Sequence, residues 1–561
     1  MTTVGYDSNN QITSISRQTG GSPALQTYSY SYTLVGKLQS LTDPANAVTS
    51  FDYDILHRLW HLTDAENRKT TFAYDAMSRV SSITDPLNNL VDSRTYTPNG
   101  LLYQQTDARN KTTAYSMDGF DRPSNVTYAD STMEQWTSYD GNDNVLTYIC
   151  RSGGSIVNTF DPLNRLSTKA PSGQATVTFS YDLAGRILQI STPVQSGNPA
   201  SGAFAFGYDS AGRVNSETDP DSKVVQYLRD NDGNVSRITH PDGYFVNYIF
   251  DQLDRLTDVK LNGSSSSSLH FGFDQLSRRT SLTYGNSATV SYNYQLNNDL
   301  TTLVQQFNGT TSVSFGFGFN SVHQEISRSF SDASYAWTPS TSHTTTYGAA
   351  NNVNEYPTVD AAAYSYNGNG CLTGDGTWTF GYDTENHLTS ASKTGVSASY
   401  VYDGMHRQIQ KTIGSTKTRF IYAGFRRIVD YDGTSGALLN RYVFGPGRDE
   451  PLIVITAGGT ITYQHTDREG SIIAQTDASG NVTGKFKYSP FGESAAVPGS
   501  SFGYTGQRFD AETGLYYWKA RYLSPALGRF LQPDPIRSSN AYPYVSNDPL
   551  NALDSMGMAS W

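Results

Sequence analysis

An all-β fold is predicted by three observations. Tyrosine, threonine, serine, valine and glycine are abundant, with 39 Tyr and 49 Gly in 561 residues, and the Ala/Leu/Glu/Lys-rich runs typical of amphipathic helices are missing. An aromatic–Asp pair followed by Arg and an aliphatic residue recurs along the chain. Neighbouring copies of that pair stand 20 to 21 residues apart, as from Tyr53 to Tyr74, Phe160 to Tyr181 and Tyr382 to Tyr402. That spacing is the length of one β-hairpin, not of a domain.

The repeats can be taken in order. Tyr53-Asp54 precedes Arg58-Leu59, and Tyr74-Asp75 precedes Arg79-Val80. Phe160-Asp161, Tyr181-Asp182, Tyr208-Asp209 and Phe250-Asp251 follow the same rule, and Phe273-Asp274, Tyr382-Asp383 and Tyr402-Asp403 continue the series. In Thr71-Phe72-Ala73-Tyr74-Asp75, alternate residues of a strand face opposite sides. The Asp-x-x-x-Arg segment is the turn, because Asp, Asn and Gly tolerate its backbone angles and bond their own main chain. A second mark, Thr-Asp-Pro at Thr42, Thr84 and Thr218, closes the return strand, since Pro cannot continue a ladder. One such hairpin cannot bury a face alone, but stacked hairpins can. The repeated Tyr, Asp and Arg therefore read as architecture, not as many active sites.

Between about Asn308 and Ala363 the period degrades into Ser/Thr-rich text that includes Ser340-Thr341-Ser342-His343, and Ser264 to Ser268 is a shorter run of the same kind. Both read as surface loops within the strip. From Phe420 the repeats change character, through Arg441-Tyr442-Val443-Phe444-Gly445-Pro446-Gly447 and His465-Thr466-Asp467-Arg468-Glu469-Gly470, to Tyr488-Ser489-Pro490-Phe491-Gly492. The last sixty residues then alternate tyrosines with Gly, Pro and Asp at fixed offsets. Thr513-Gly514-Leu515-Tyr516-Tyr517, Ala520-Arg521-Tyr522, Gly528-Arg529-Phe530-Leu531, Asp534-Pro535-Ile536 and Asp554-Ser555-Met556-Gly557-Met558 are the main pieces. They read as a set of turns held by aromatic packing.

Composition bounds the function. Charged residues are only 16 % of the chain, and the net charge of −11 is spread, not blocked. This argues against a nucleic-acid surface, which needs clustered Lys and Arg. No apolar stretch reaches membrane-span length, and Met1 to Asn10 lacks a signal-peptide pattern. Cys150 and Cys371 form no metal motif; they read as structural or free thiols, with one long-range disulfide as the alternative. The nine His are scattered without metal-ligand spacing, and no phosphate-binding loop, zinc-protease or nucleophile-elbow motif is present. No cofactor and no metal are expected.

The order of the terminal pieces, with the repeats upstream, resembles the YD-repeat (RHS) proteins and their C-terminal RHS-repeat-associated core, as in bacterial Rhs toxins and toxin-complex C proteins. The resemblance implies stacked β-hairpins in a spiralling sheet that encloses a hollow shell, ended by a core or plug. It divides the chain into repeats at 1–440, last repeats at 441–483, the core at 484–558 and a remnant at 559–561. It implies a bacterial, secreted or cell-surface protein that encapsulates its own C-terminal toxin or effector segment, together with an upstream or B-type shell partner. In that family the core cuts its own backbone after a terminal Asp-Pro-x-Gly-Leu motif by aspartyl-protease-like chemistry. Carried over by motif, Asp534 and Asp554 are the two carboxylates, Arg521 the orienting base with Arg529 as second choice, and Met558–Ala559 the scissile bond. The activity expected is at most a single-turnover autoproteolysis.

Two adjacent carboxylates that share a proton can activate water and protonate a carbonyl, and an Arg can stabilise the oxyanion. An N–O acyl shift needs a nucleophile after the bond, which Ala559 lacks. This chain departs from the motif with Ser555 for Pro, which loosens the turn, and Met558 for Leu, which keeps the volume. The competing reading is a cell-surface adhesion or carbohydrate-binding strip, with rows of Tyr and Asn/Asp facing glycans and no cleavage. A conventional hydrolase is disfavoured, since no carboxylate pair outside the terminal segment is singled out.

Overall fold

The structure is a computed structural model that describes residues 2–18, 25–193, 198–199, 201–309, 311–339, 344–496, 499, 501–536 and 540–558. The Ser340–His343 stretch, Arg537–Ser539 and the Ala559 side of the expected cleavage bond lie outside the described residues. The fold is all-β. The described residues hold thirty strands between Thr2 and Phe330, which pair antiparallel with chain neighbours, as Val48–Tyr53 does with Leu59–Thr63. A second antiparallel sheet of thirteen strands runs from Ser365 to Lys485, and a small four-stranded sheet spans Arg508–Phe530.

The repeat turn explains the period. Asp54 Oδ1 accepts the amides of Leu56 and Arg58, each at 2.9 Å, and its Oδ2 accepts Arg58 Nε at 2.7 Å. The Asp54 amide donates to the Arg58 carbonyl, and the His57 amide to the Asp54 carbonyl. This geometry puts the third residue after Asp in the left-handed region, with φ of +60° at His57, Asn164 and, in the Gly case, +82° at Gly185. Asn, Gly, Ser, Asp and His recur at that place for this reason. The register slips by one residue beside each turn, as between Ala73 and Tyr74, so the Tyr ring is re-aimed by a bulge.

That ring reaches the preceding repeat. Tyr74 Oη donates to the Leu59 carbonyl at 2.7 Å, and the Arg58 guanidinium lies 4.5 Å from the Tyr74 ring centroid. Tyr181 bonds Leu166 and carries Arg165 in the same way, as Tyr208 does Ile187 and Arg186. Arg165 Nη1 also reaches the carbonyl of the next turn's Asp182. These hairpins are thus clasped to their neighbours by a stacked cation and a hydroxyl bond, with an ion pair in its own turn holding the cation in place.

The Thr-Asp-Pro mark works differently from a proline stop. Asp43 Oδ1 accepts the amides of Ala45 and Ala47, and Asn46 takes φ +67°. Asp85 and Asp219 cap their turns likewise. The aspartate makes this turn just as it makes the Tyr-Asp turn, and Pro sits at the loop place where its fixed φ fits. Both edges of the strip therefore use one turn chemistry.

The chain forms two compact units. One comprises Met1–Tyr115, His270–Thr283 and Ala288–Ala333; the other comprises Ser116–Leu269, Tyr284–Ser287 and Ser334–Trp561. Within the second, Val225 packs into a core with Ile421, Val429, Tyr442 and Phe502. Charge pairs tie the same elements: Arg407 to Glu217 at 3.0 Å and Arg419 to Asp219 at 3.0 Å. Cys150 and Cys371 are buried free thiols. No helix among the described residues is long and apolar enough to cross a membrane.

Removing one clasp should have a local effect, because stacked repeats couple mainly to neighbours. Tyr181→Phe deletes the bond to the Leu166 carbonyl and should cost about 1 kcal/mol. Hydrogen exchange should quicken across strand Leu166–Pro171 and stay unchanged in repeats distant along the strip.

Candidate active site

The terminal segment is built on rings. Tyr504, Tyr516, Trp518, Leu523, Phe530 and Tyr544 form a buried cluster. Trp518 packs edge-on against Tyr544 with 5.2 Å between centroids, and Tyr522 follows on a short strand Tyr522–Ser524. Between them the chain makes a tight turn, closed by the Trp518 amide on the Arg521 carbonyl at 2.8 Å. The turn projects Arg521 inward, where its side chain is 2 % exposed and its guanidinium lies 3.7 Å from the Phe530 ring centroid.

This guanidinium joins the two expected carboxylates. Arg521 Nη2 is 3.0 Å from Asp534 Oδ2 and 3.5 Å from Asp554 Oδ2. Its Nε donates to the Gly557 carbonyl at 2.5 Å and its Nη1 to the Ala541 carbonyl at 3.0 Å. Asp534 is fixed by the Ile536 amide on its Oδ1, at 2.8 Å, and by its own amide on Ala541. Asp554 Oδ1 accepts the amides of Met556, Gly557 and Met558, at 3.0, 2.8 and 3.2 Å. The motif thus folds around its own carboxylate.

Gly557 is required where it stands. Its φ is +69°, and a Cβ there would lie 2.6 Å from the Trp518 carbonyl. The motif lies on the Trp518–Arg521 turn, with the Ala520 amide donating to the Met556 carbonyl and Trp518 Nε1 to the Asp554 carbonyl. Lys519 Nζ pairs with Asp449 at 2.7 Å and bonds the Ser555 carbonyl. Trp518 and Lys519 directly precede the Ala-Arg-Tyr piece, so inspecting its flank would have found them. Asp449 lies 70 residues before Lys519 and gives no signal in the sequence.

Burial pushes the Asp554 carboxyl up, against the pull of the Met556 amide and of Arg521. Burial likewise lowers the Arg521 value, while Asp534 and Asp554 oppose that shift. A carboxyl inclined to keep its proton thus faces a cation shared with a second carboxylate, which is an acid–base pair in form. Arg529 is elsewhere. It donates to the Asn354 carbonyl at 2.9 Å, lies over Tyr356 and Tyr542, and lines a cavity of about 990 Å³ with Tyr347 and Asn540. The structure brings together Asp534, Asp554, Arg521 and Met558, and leaves Arg529 out.

Comparison with known proteins follows this geometry. A family model described as Teneurin YD-shell matches residues 169–346 and 332–550, more than half of the chain. The tRNA3(Ser)-specific nuclease WapA of Bacillus spizizenii is 32% identical over 228 residues, 38% of this chain and 10% of that protein. Toxin subunit YenC1 of Yersinia entomophaga is 32% identical over 114 residues, 18% of this chain and 12% of that protein. The chain therefore spans only a small part of these relatives. The crystal structure of TcdB2-TccC3 superposes with a TM-score of 0.53 at 16% identity, over 99% of this chain and 32% of that one; this likeness shows the fold.

Two outcomes test the geometry. Gly557→Ala should destabilise the terminal segment by about 1–3 kcal/mol, seen as a lower thermal midpoint and faster exchange at Ala520. The raised Asp554 value means that the folded chain holds this proton to higher pH than the unfolded chain. Its contribution to stability is present below the ordinary carboxyl value of 3.8 and is lost as pH rises through the raised value. Asp554→Asn should remove that fall from the curve of thermal midpoint against pH.

Proposed function

Because the chain belongs to the Teneurin YD-shell family, we propose that it is a segment of a toxin shell that encloses a C-terminal effector and frees it by cutting its own backbone after Met558. The observation that carries this reading is the buried Arg521 guanidinium, shared by Asp534 and Asp554 and bonded to the backbone of the motif itself. Asp554, inclined to hold a proton, donates to the Met558 carbonyl oxygen. Asp534, the closer partner of Arg521, takes a proton from the attacking water. Oxygen from water adds to the carbonyl carbon; as the C–N bond to Ala559 breaks, the leaving nitrogen takes the proton held by Asp534, and the hydroxyl on the former carbonyl carbon returns a proton to Asp554. The products are a carboxylate at Met558 and a new amino terminus at Ala559. Arg521 stabilises charge and holds the motif through Gly557.

Toxin relatives support a bacterial, exported protein with a toxic C-terminal segment, by analogy with the nuclease and toxin-subunit names of the matched proteins. The 32% coverage of the TcdB2-TccC3 chain supports a longer wall, completed by further repeats or by a partner shell subunit. Glycan binding gains less support. The repeat tyrosines direct their hydroxyls to backbone carbonyls and carry arginines on their faces, which leaves those groups unavailable to a sugar.

The test is the intact mass of the purified chain beside Asp534→Asn and Asp554→Asn. The parent should lose Ala559-Ser560-Trp561, and both variants should retain them. A full-length parent overturns the cleavage reading. Equal cutting of all three assigns the cut to an outside protease.

A further inference from the structure

Two successive repeat turns, Asp383–His387 and Asp403–Arg407, each carry a histidine. His387 occupies the place of the clasping Arg. Its Nδ1 lies 2.8 Å from Asp383 Oδ2, the contact that Arg407 Nε makes with Asp403 one repeat later. Its ring stacks on Tyr402 with 4.6 Å between centroids, as the arginines stack on their tyrosines. Imidazole thus takes over the arginine's contacts and adds one property that a guanidinium lacks. With Nδ1–H given to the carboxylate, Nε2 presents a lone pair. A carboxylate behind a histidine in this way fixes the tautomer and raises the basicity of a metal-ligating ring.

That lone pair faces His406 Nδ1 at 2.9 Å. His406 stands at the left-handed place of its turn, with φ +64°. Glu385, from the first turn, completes a set whose ligand atoms all lie within 4.8 Å of one another. We propose that Glu385, His387 and His406 bind one divalent transition-metal ion of the zinc class, tying the two turns together. Two imidazoles and one carboxylate suit zinc, nickel or copper better than magnesium or calcium, which prefer all-oxygen sites. Ligands of one such ion stand roughly 3–4 Å apart, so the histidine pair needs little movement and Glu385 a small side-chain rotation. The His406 side chain is 50% exposed, which gives the ion an entry path and water a fourth position.

Lys169 competes for the same site. Its Nζ lies 2.6 Å from Glu385 Oε1 and 3.3 Å from His406 Nε2, so a metal must draw Glu385 away from an ammonium. This competition makes the proposal testable in both directions. The full chain is treated with a chelator, exchanged into metal-free buffer, and titrated with Zn²⁺ by calorimetry, with thermal denaturation run alongside.

One equivalent should bind, and the thermal midpoint should rise with Zn²⁺. His387→Arg restores the residue that other repeats use and so preserves the turn; it should abolish binding. His406→Asn places a residue common at left-handed turn positions and should also abolish it. Lys169→Met should tighten binding several-fold by removing a like charge. Absence of saturable binding in both the parent and Lys169→Met overturns the proposal. So does binding that survives His387→Arg and His406→Asn, which would assign it to other histidines.

Discussion

The guanidinium of each repeat arginine is held by the aspartate of its own turn and lies on the tyrosine of the next repeat. That tyrosine hydroxyl bonds the carbonyl of the residue just after the arginine. Taken singly these contacts are weak: an exposed ion pair contributes about 0–1 kcal/mol and an exposed cation–π contact about 0.5–1 kcal/mol. Their placement matters more than their size. The ring and hydroxyl contacts span the gap between one hairpin and the next, while the ion pair holds its own turn; strand pairing alone leaves a two-stranded unit marginal. The twenty-residue period is the distance along the chain from one such contact to its successor, and strand lengths and turn residues follow from it.

The terminal segment uses the same residue types in a different dielectric setting. In most repeats, aspartate and arginine are part-buried at the edge of the strip and hold a turn. At Arg521 they are buried, with the guanidinium over Phe530, where separating the charges would be costly and removing one partner would strand the other. Two carboxylates share one guanidinium there, and Asp554 also accepts three amides of its own turn.

Much of this was legible in the sequence, because the decisive contacts are local. An aspartate and an arginine four residues apart with a Gly or Asn between them specify the turn, and regular recurrence specifies the strip. The meeting of Asp534 with Asp554 came from a motif resemblance, since twenty residues of turns do not dictate a distance. Arg529, the second choice for the orienting place, lies over Tyr356 and Tyr542 instead, because only packing decides which of two arginines of similar context points at the carboxylates. The Thr-Asp-Pro mark drew attention to proline, although the aspartate makes the turn. The nine histidines looked scattered because His387 and His406 are 19 residues apart. One repeat of the strip is about that long, so neighbouring turns bring such residues side by side.

The hairpin-to-hairpin fastening also sets how the strip responds to mechanical load. Antiparallel neighbours joined by short turns carry a pull from a chain end in series, not in parallel. The load falls on one clasp and a few ladder bonds at a time, and the next hairpin is stressed only after the first has peeled away. Each event would free about twenty residues, roughly 70 Å of extended chain. A wall built this way resists diffuse thermal opening through many repeats, yet can be drawn out from an end in small, even steps at low force.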